Sequence, residues 1–214
     1  MAIVFAAAPL EPTQRLRARL NEHTRRYVVA ADHGAATALA FGLKPDVVIG
    51  DLDSIDEATL ADLRRLNVPI DVHPRDKNAT DGQLALAKAL QEHPALLLLL
   101  GFLGGPRLDQ ALANVLLLIG VDTPVVLMDE RNECVLVRPD APYTWQTEPD
   151  EVVSLLPLNS DAHGVRTHGL RWPLTAETLR LGDTRGVSNE AVAPTATVSI
   201  EQGLLLVTRH FPTS

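Results

Sequence analysis

The chain has 214 residues, 46% of them apolar and 21% charged, with a formal net charge of −8 and an isoelectric point near 5.3. That length and apolar share supply a full core for one large domain or two modest ones, which excludes intrinsic disorder. The acidic balance excludes a protein that clamps a nucleic-acid backbone, and Cys134, the single cysteine, excludes an intrachain disulfide and a cysteine-built zinc site within one subunit.

Residues 1–10 are apolar with no basic lead-in, so they predict a buried strand rather than an export signal. The most apolar run, residues 94–105, is too short for a membrane span, and the next is interrupted by Asp122 and Pro124. A soluble, cytoplasmic protein is expected. Short aliphatic runs at residues 3–7, 27–31, 47–49, 70–73, 95–101 and 125–128 predict strands. Between them, residues 13–22, 35–41, 58–66, 81–92 and 109–118 carry apolar residues at helical spacing. This alternation predicts βα units stacked on a parallel sheet covered on both faces, hence the nearly pure Val, Ile and Leu of the strands.

After Glu130 helical periodicity fades, Pro and Gly become frequent, and β-type runs at residues 135–138, 151–157, 196–200 and 203–208 take over. An all-β domain is expected there, smaller than the first, with Pro157, Pro173 and Pro194 at edges or turns because proline cannot donate to a central ladder. The domain boundary falls between residues 128 and 129, giving an α/β domain over 1–128 and a β domain over 129–214.

In a parallel sheet, polar residues just beyond the carboxyl ends of strands face the ligand crevice. Asp32, Asp51, Asp53, Asp81 and Asp109 all follow predicted strands. Asp51 and Asp53 sit two apart after Gly50, and an i, i+2 spacing in extended chain puts both carboxylates on one side, where a hard cation such as Mg2+ can share them. The plainer reading is a cap for the helix starting near Asp56, which needs one carboxylate and not two. Thr80-Asp81-Gly82-Gln83 has the form of a capping box, which by itself accounts for Asp81, and Lys77 nearby offers a point charge for phosphate. Residues 101–109, with Gly101, Gly104, Gly105, Arg107 and Asp109, run from a strand into a helix and suit an anion held at the helix N-terminus.

Neither a Walker-type phosphate loop, a dinucleotide fingerprint nor a nucleophile elbow is present in the sequence. The residues alone therefore point to metal-assisted phosphate chemistry and leave the reaction open. Pyrophosphoryl transfer to an alcohol such as a hydroxymethyl pterin, hydrolysis of the haloacid-dehalogenase kind with Asp51 as nucleophile, and nucleotide sensing without catalysis all remain.

Taken in order, 31–35 (Ala-Asp-His-Gly-Ala), 45–55 (Pro-Asp-Val-Val-Ile-Gly-Asp-Leu-Asp-Ser-Ile), 77–81 (Lys-Asn-Ala-Thr-Asp) and 104–109 (Gly-Gly-Pro-Arg-Leu-Asp) with Asn114 form one series. It continues with 153–158 (Val-Ser-Leu-Leu-Pro-Leu), 169–174 (Gly-Leu-Arg-Trp-Pro-Leu) and 186–190 (Gly-Val-Ser-Asn-Glu). This series resembles the thiamine pyrophosphokinase family. The resemblance implies transfer of the pyrophosphoryl group of ATP to the hydroxyl of thiamine, on an α/β domain followed by a β-sandwich. It also implies a homodimer with thiamine at the subunit interface. By motif, Asp51, Asp53 and Asp81 would hold Mg2+ and Asp32 would line the same cleft. Lys77, Thr80, Arg107, Asp109 and Asn114 would serve ATP, and Ser188, Asn189 and Trp172 would serve thiamine. His33, Asn78 and Gln110 depart from the family pattern, where Gly, Asp and His are usual. The implied reaction is attack of the thiamine hydroxyl on the β-phosphorus of ATP, with Asp81 and Asp109 as candidates for the base.

Overall fold

The computed structural model describes residues 1–51 and 55–212, and the chain divides into two compact units, Met1–Glu130 and Arg131–Ser214. The first unit alternates strands and helices: β1 (Ala2–Phe5), α1 (Gln14–Asn21), β2 (Tyr27–Ala31), α2 (Gly34–Ala40), β3 (Val47–Gly50), α3 (Glu57–Arg65), β4 (Ile70–Val72), α4 (Asp81–Leu90), β5 (Leu97–Leu100), α5 (Leu108–Leu117) and β6 (Val125–Met128). All its strand pairs are parallel, in the order β4-β3-β2-β1-β5-β6. Strands β1, β3, β5 and β6 are buried at every residue. Each fully buried aliphatic side chain contributes about 1.5–3 kcal/mol of transfer free energy.

The order reverses between β1 and β5. Strands β1 to β4 run outward in one direction, and the connection from β4 then returns across three strands to start β5 on the other side of β1. Helix α4 makes this return and packs on β1, β2 and β3. Its N-terminus therefore lies over the switch point rather than at the sheet edge where β4 ends. Crevices at such switch points are where open α/β sheets bind ligands.

The described residues of the second unit form eight strands: β7 (Asn132–Val137), β8 (Tyr143–Gln146), β9 (Val152–Pro157), β10 (Ala162–His168), β11 (Thr175–Leu179), β12 (Asn189–Glu190), β13 (Thr195–Ser199) and β14 (Leu205–His210). They form two antiparallel sheets, β7-β14-β9-β12 and β8-β13-β10-β11. Val137, Val153, Leu155, Leu205 and Val207 of the first sheet meet Trp145, Val165, Leu179 and Val198 of the second in one core, so the unit is a sandwich. The expected fold class, a parallel α/β part followed by an all-β part, is the one observed. No helix among the described residues is long and apolar enough to cross a membrane.

At one end of the sandwich a charge is buried. Arg209 of β14 donates to Glu151 through Nε at 2.7 Å and Nη2 at 3.1 Å, and through Nη1 to Glu133 at 3.0 Å. Its guanidinium also lies 5.3 Å from the Trp145 ring centroid and 5.1 Å from that of Phe211. Trp145 Nε1 in turn donates to Glu151 at 2.8 Å. Burial beside the Glu133 carboxylate pushes the Tyr143 phenol well above its ordinary range.

Candidate active site

The switch point opens as a crevice of about 530 Å³ in the first unit. Four chain segments line it: Ala6–Pro9 after β1, Ala31 and Asp32 at the end of β2, Thr80–Gly82 at the start of α4, and the 101–114 stretch running from β5 into α5. The β1 segment follows the β5 loop closely, with Ala6 N–H donating to Leu100 O at 2.8 Å and Ala8 N–H to Gly101 O at 3.0 Å. Gly101 permits that approach: its φ is +71°, and a Cβ there would stand 2.5 Å from Ala6 O. Asn114 of α5 ties the loop down by donating from Nδ2 to Phe102 O at 2.9 Å.

Asp32 is 8% exposed and its φ is +43°, a left-handed conformation that Asp tolerates better than most residues. Its N–H donates to Ile49 O at 3.0 Å. The carboxylate lies against Gly50, whose φ is +153°. A Cβ on that residue would fall 1.7 Å from Asp32 Oδ1. The glycine before Asp51 is thus required by the neighbouring strand's carboxylate as well as by its own backbone.

Asp51 follows β3 directly and is partly buried, while Asp53 lies outside the described residues. Neither is needed to cap the next helix, because Asp56 does so, accepting from Thr59 N–H at 2.8 Å and from Thr59 Oγ1 at 2.8 Å. The same separation of roles holds at α4. Thr80 Oγ1 accepts from Gln83 N–H at 3.1 Å as the cap, and Asp81 is left to face Lys77, whose Nζ is 2.9 Å from Oδ1. That oxygen is buried and accepts no aligned hydrogen bond. The Asp81 contact, with smaller contributions from Asp51 and Asp32, holds the Lys77 ammonium above its ordinary range. Among the described residues no three His, Cys, Asp or Glu side chains form a metal-binding cluster.

On the other wall Arg107 and Asp109 form a two-pronged pair, Nε to Oδ1 at 2.8 Å and Nη2 to Oδ2 at 2.5 Å, and both are exposed. The Arg107 hydrogen bond holds the Asp109 carboxyl down at about 2. Helix α5 begins at Leu108 with Arg107 as an N-cap that makes no side-chain cap bond, and the Asp109 carboxylate in its first turn receives backbone hydrogen bonds from Asp109 and Gln110. The crevice thus combines an acidic side, a helix N-terminus carrying Arg107 and a glycine loop that brings backbone close to any ligand.

The expected thiamine residues belong to the second unit. Ser188 is exposed, in a left-handed conformation with φ +62°, and its N–H donates to Ser154 Oγ at 3.0 Å. Trp172 is 55% exposed, whereas Asn189 is 8% exposed with its carboxamide bonded to the Trp172 peptide. Residue reading missed the Ala6–Pro9 segment, which contributes backbone and methyl groups and carries no polar side chain that could have marked it.

A parallel sheet that opens at its switch point over carboxylates, a helix N-terminus carrying an arginine and a glycine loop defines an α/β protein built for phosphorylated ligands. The model described as the thiamin pyrophosphokinase catalytic domain matches residues 19–127, and that of the thiamin pyrophosphokinase vitamin B1 binding domain matches residues 144–205. The chain belongs to the thiamin pyrophosphokinase family. It is 30% identical over 209 residues to thiamine pyrophosphokinase of Bacillus subtilis, covering 96% of each chain. The crystal structure of thiamine pyrophosphokinase from B. subtilis matches with a TM-score of 0.86 at 27% identity, over 100% of both chains. That of thiamin pyrophosphokinase from Geobacillus thermodenitrificans matches with a TM-score of 0.84 at 27% identity, over 100% of this chain and 99% of the other.

Proposed function

We propose that this chain transfers the pyrophosphoryl group of ATP to the hydroxyl of thiamine, giving thiamine diphosphate and AMP, in the cytoplasm. The observation that carries the reading is the switch-point crevice, lined by the carboxylates of Asp32 and Asp81 together with the glycine loop and Arg107. Asp32, Asp51 and Asp81 repel a triphosphate unless a cation lies between them.

The donor set fits Mg2+: carboxylate oxygens are the hard ligands it prefers, and the buried Asp81 Oδ1 accepts no aligned hydrogen bond from the protein. We assign Asp51, Asp53 and Asp81 as its ligands and Asp32 as the residue lining the cleft beside them. Bound there, Mg2+ would neutralise charge on the phosphate oxygens and help align the transferred group. The chain itself supplies position and positive potential. We assign the phosphates to Arg107, Lys77 and the N-terminus of α5, with Thr80 and Asn114 shaping that wall as helix cap and loop tie. Asp81 and Asp109 both remain candidates for the base, and Arg107 holds the Asp109 carboxyl down at about 2.

Thiamine is assigned to the second unit at Trp172, whose exposed indole can stack on a flat cationic ring, with Ser188 beside it. A homodimer with thiamine at the subunit interface is part of the same reading. In its support, Leu108, Leu112 and Leu116 form an i, i+4, i+8 ridge on α5 that is 72%, 55% and 54% exposed, an apolar stripe that a second copy would cover. The test is incubation with ATP, Mg2+ and thiamine: AMP formed only when thiamine is present supports the reading. Inorganic phosphate without an acceptor would point to a hydrolase instead, and AMP formed with a hydroxymethyl pterin but not thiamine to another acceptor.

A further inference from the structure

The exposed tryptophan of the second unit stands on an unusual support. Residues 169–172 and 189–192 run antiparallel. Val192 N–H donates to Gly169 O at 2.9 Å, Leu170 bridges Ala191, and Arg171 N–H donates to Glu190 O at 2.9 Å. At Trp172 the main-chain ladder ends, because the opposite chain turns away at Ser188, whose N–H goes to Ser154 Oγ. The Asn189 side chain provides the missing rung. Its Oδ1 accepts from Trp172 N–H at 3.1 Å and its Nδ2 donates to Trp172 O at 2.8 Å.

A carboxamide suits this task, since it presents one acceptor and one donor side by side, as a peptide does. Oδ1 also accepts from Glu190 N–H at 2.9 Å, so both lone pairs of that oxygen are used. The residue is 8% exposed, and it belongs to β12, where it pairs with Val153 of β9. Pro173 follows and restricts Trp172 to extended backbone. A second brace acts on the ring: Arg171 Nη1 donates to Glu190 at 2.6 Å, and its guanidinium lies 5.4 Å from the Trp172 ring centroid. As a surface ion pair it adds little stability. Its effect is to keep one face of the indole occupied and direct a ligand to the other.

We propose that Asn189 is a positioning residue: its carboxamide, seconded by the Arg171–Glu190 pair, fixes the Trp172 indole for stacking on a flat cationic ring and does not itself touch the substrate. This rests on the assignment of thiamine to Trp172, and it reassigns Asn189 from contact to support.

The test is steady-state kinetics and acrylamide quenching on Trp172→Ala, Asn189→Ala, Asn189→Asp and Glu190→Gln. Losing both bonds to the Trp172 peptide should raise the thiamine KM about tenfold in Asn189→Ala, equivalent to about 1.4 kcal/mol, with kcat and the ATP KM within about twofold. Asn189→Asp keeps the acceptor and loses the donor, so its thiamine KM should lie between wild type and Asn189→Ala. A direct contact predicts the reverse, because a carboxylate facing cationic thiamine would bind it at least as tightly as Asn does. Trp145 is buried, so the quencher-accessible emission reports Trp172, and its anisotropy should decay faster in Asn189→Ala. If that variant does not fold, Glu190→Gln at a half-buried position takes its place, with a smaller rise in thiamine KM and the same loosening of the indole. A thiamine KM unchanged in the Asn189 variants but raised in Trp172→Ala overturns the proposal, as does a loss confined to kcat. An unchanged thiamine KM in Trp172→Ala removes the thiamine assignment itself, and the proposal with it.

Discussion

Replacing Gly50 with Ala adds one carbon, and the geometry dictates where it goes. The new Cβ would stand 1.7 Å from Asp32 Oδ1 and 2.4 Å from its Cγ, both far inside contact distance. Asp32 cannot retreat as a whole, because its N–H is bonded to Ile49 O and the residue is 8% exposed. Its carboxylate must rotate away instead. A side chain at the Gly50 φ of +153° costs about 1–3 kcal/mol in backbone strain, and an off-rotamer Asp32 about 1 kcal/mol more. The expected loss of stability is therefore about 2–4 kcal/mol, read as a lower urea midpoint with unchanged slope. Turnover should fall about 100-fold, since a shift of about 1 Å in a positioned group has that order of effect. In an Asp32→Ala background the clash with Oδ1 and Cγ is gone, so Gly50→Ala should cost about 1 kcal/mol less there. Gly50→Ala with stability within about 0.5 kcal/mol of wild type and turnover within about twofold would refute the account of why glycine stands before Asp51.

Arg209→Met leaves the buried carboxylates of Glu133 and Glu151 without their cation. Breaking such a buried pair costs about 3–5 kcal/mol, and chemical denaturation showing less than about 1 kcal/mol would contradict the packing described. Asp109 should titrate at about 2 by NMR, and Arg107→Gln should return it to the ordinary carboxylate range. With its folded pKa depressed, the contribution of this pair is fully present above about pH 4 and is lost as pH falls toward 2. Since both partners are exposed, the effect belongs in the titration curve and not in the melting temperature. On the proposed homodimer, Leu112→Arg places a charge in the middle of the α5 ridge, and light scattering should give a dimer mass for wild type and a monomer mass for the variant. A wild-type-like mass would separate the ridge from any interface.

The parallel unit was legible because both its faces are covered. Runs such as residues 97–100, four leucines all buried, have little alternative to a central strand. The sandwich was legible in outline but not strand by strand. Residues 162–168 and 175–179 form β10 and β11 with much of their surface in water, and their polar residues conceal the period that residues 152–157 display. The start of α4 followed from Thr80, a short polar residue at the N-cap, whereas the cap of α3 is Asp56 and not the Asp51 or Asp53 weighed for it in the sequence. That the return from β4 spans three strands, and so carries Asp81 to the switch point beside the β1 and β5 loops, is topology, to which local spacing is blind.

The same contrast runs through the crevice and the Trp172 loop. Carboxylates at strand ends stand out in a sequence because charge is costly in apolar surroundings and calls for a reason. Asp32, Asp51 and Asp81 could therefore be singled out as residues, and the structure adds how Gly50 makes room for the first and how Thr80 releases the third from capping. Work done by the backbone, or by a side chain bonded to backbone, leaves no such mark. The Ala6–Pro9 segment shapes the crevice with nothing but peptide and methyl groups. Asn189, read by type, is a polar residue fit to meet a ligand. Only its burial and its paired bonds to Trp172 turn it into a piece of ladder. A residue's chemistry states what it can bond. Whether a substrate or the chain receives that bond is decided by which partner the fold brings within reach.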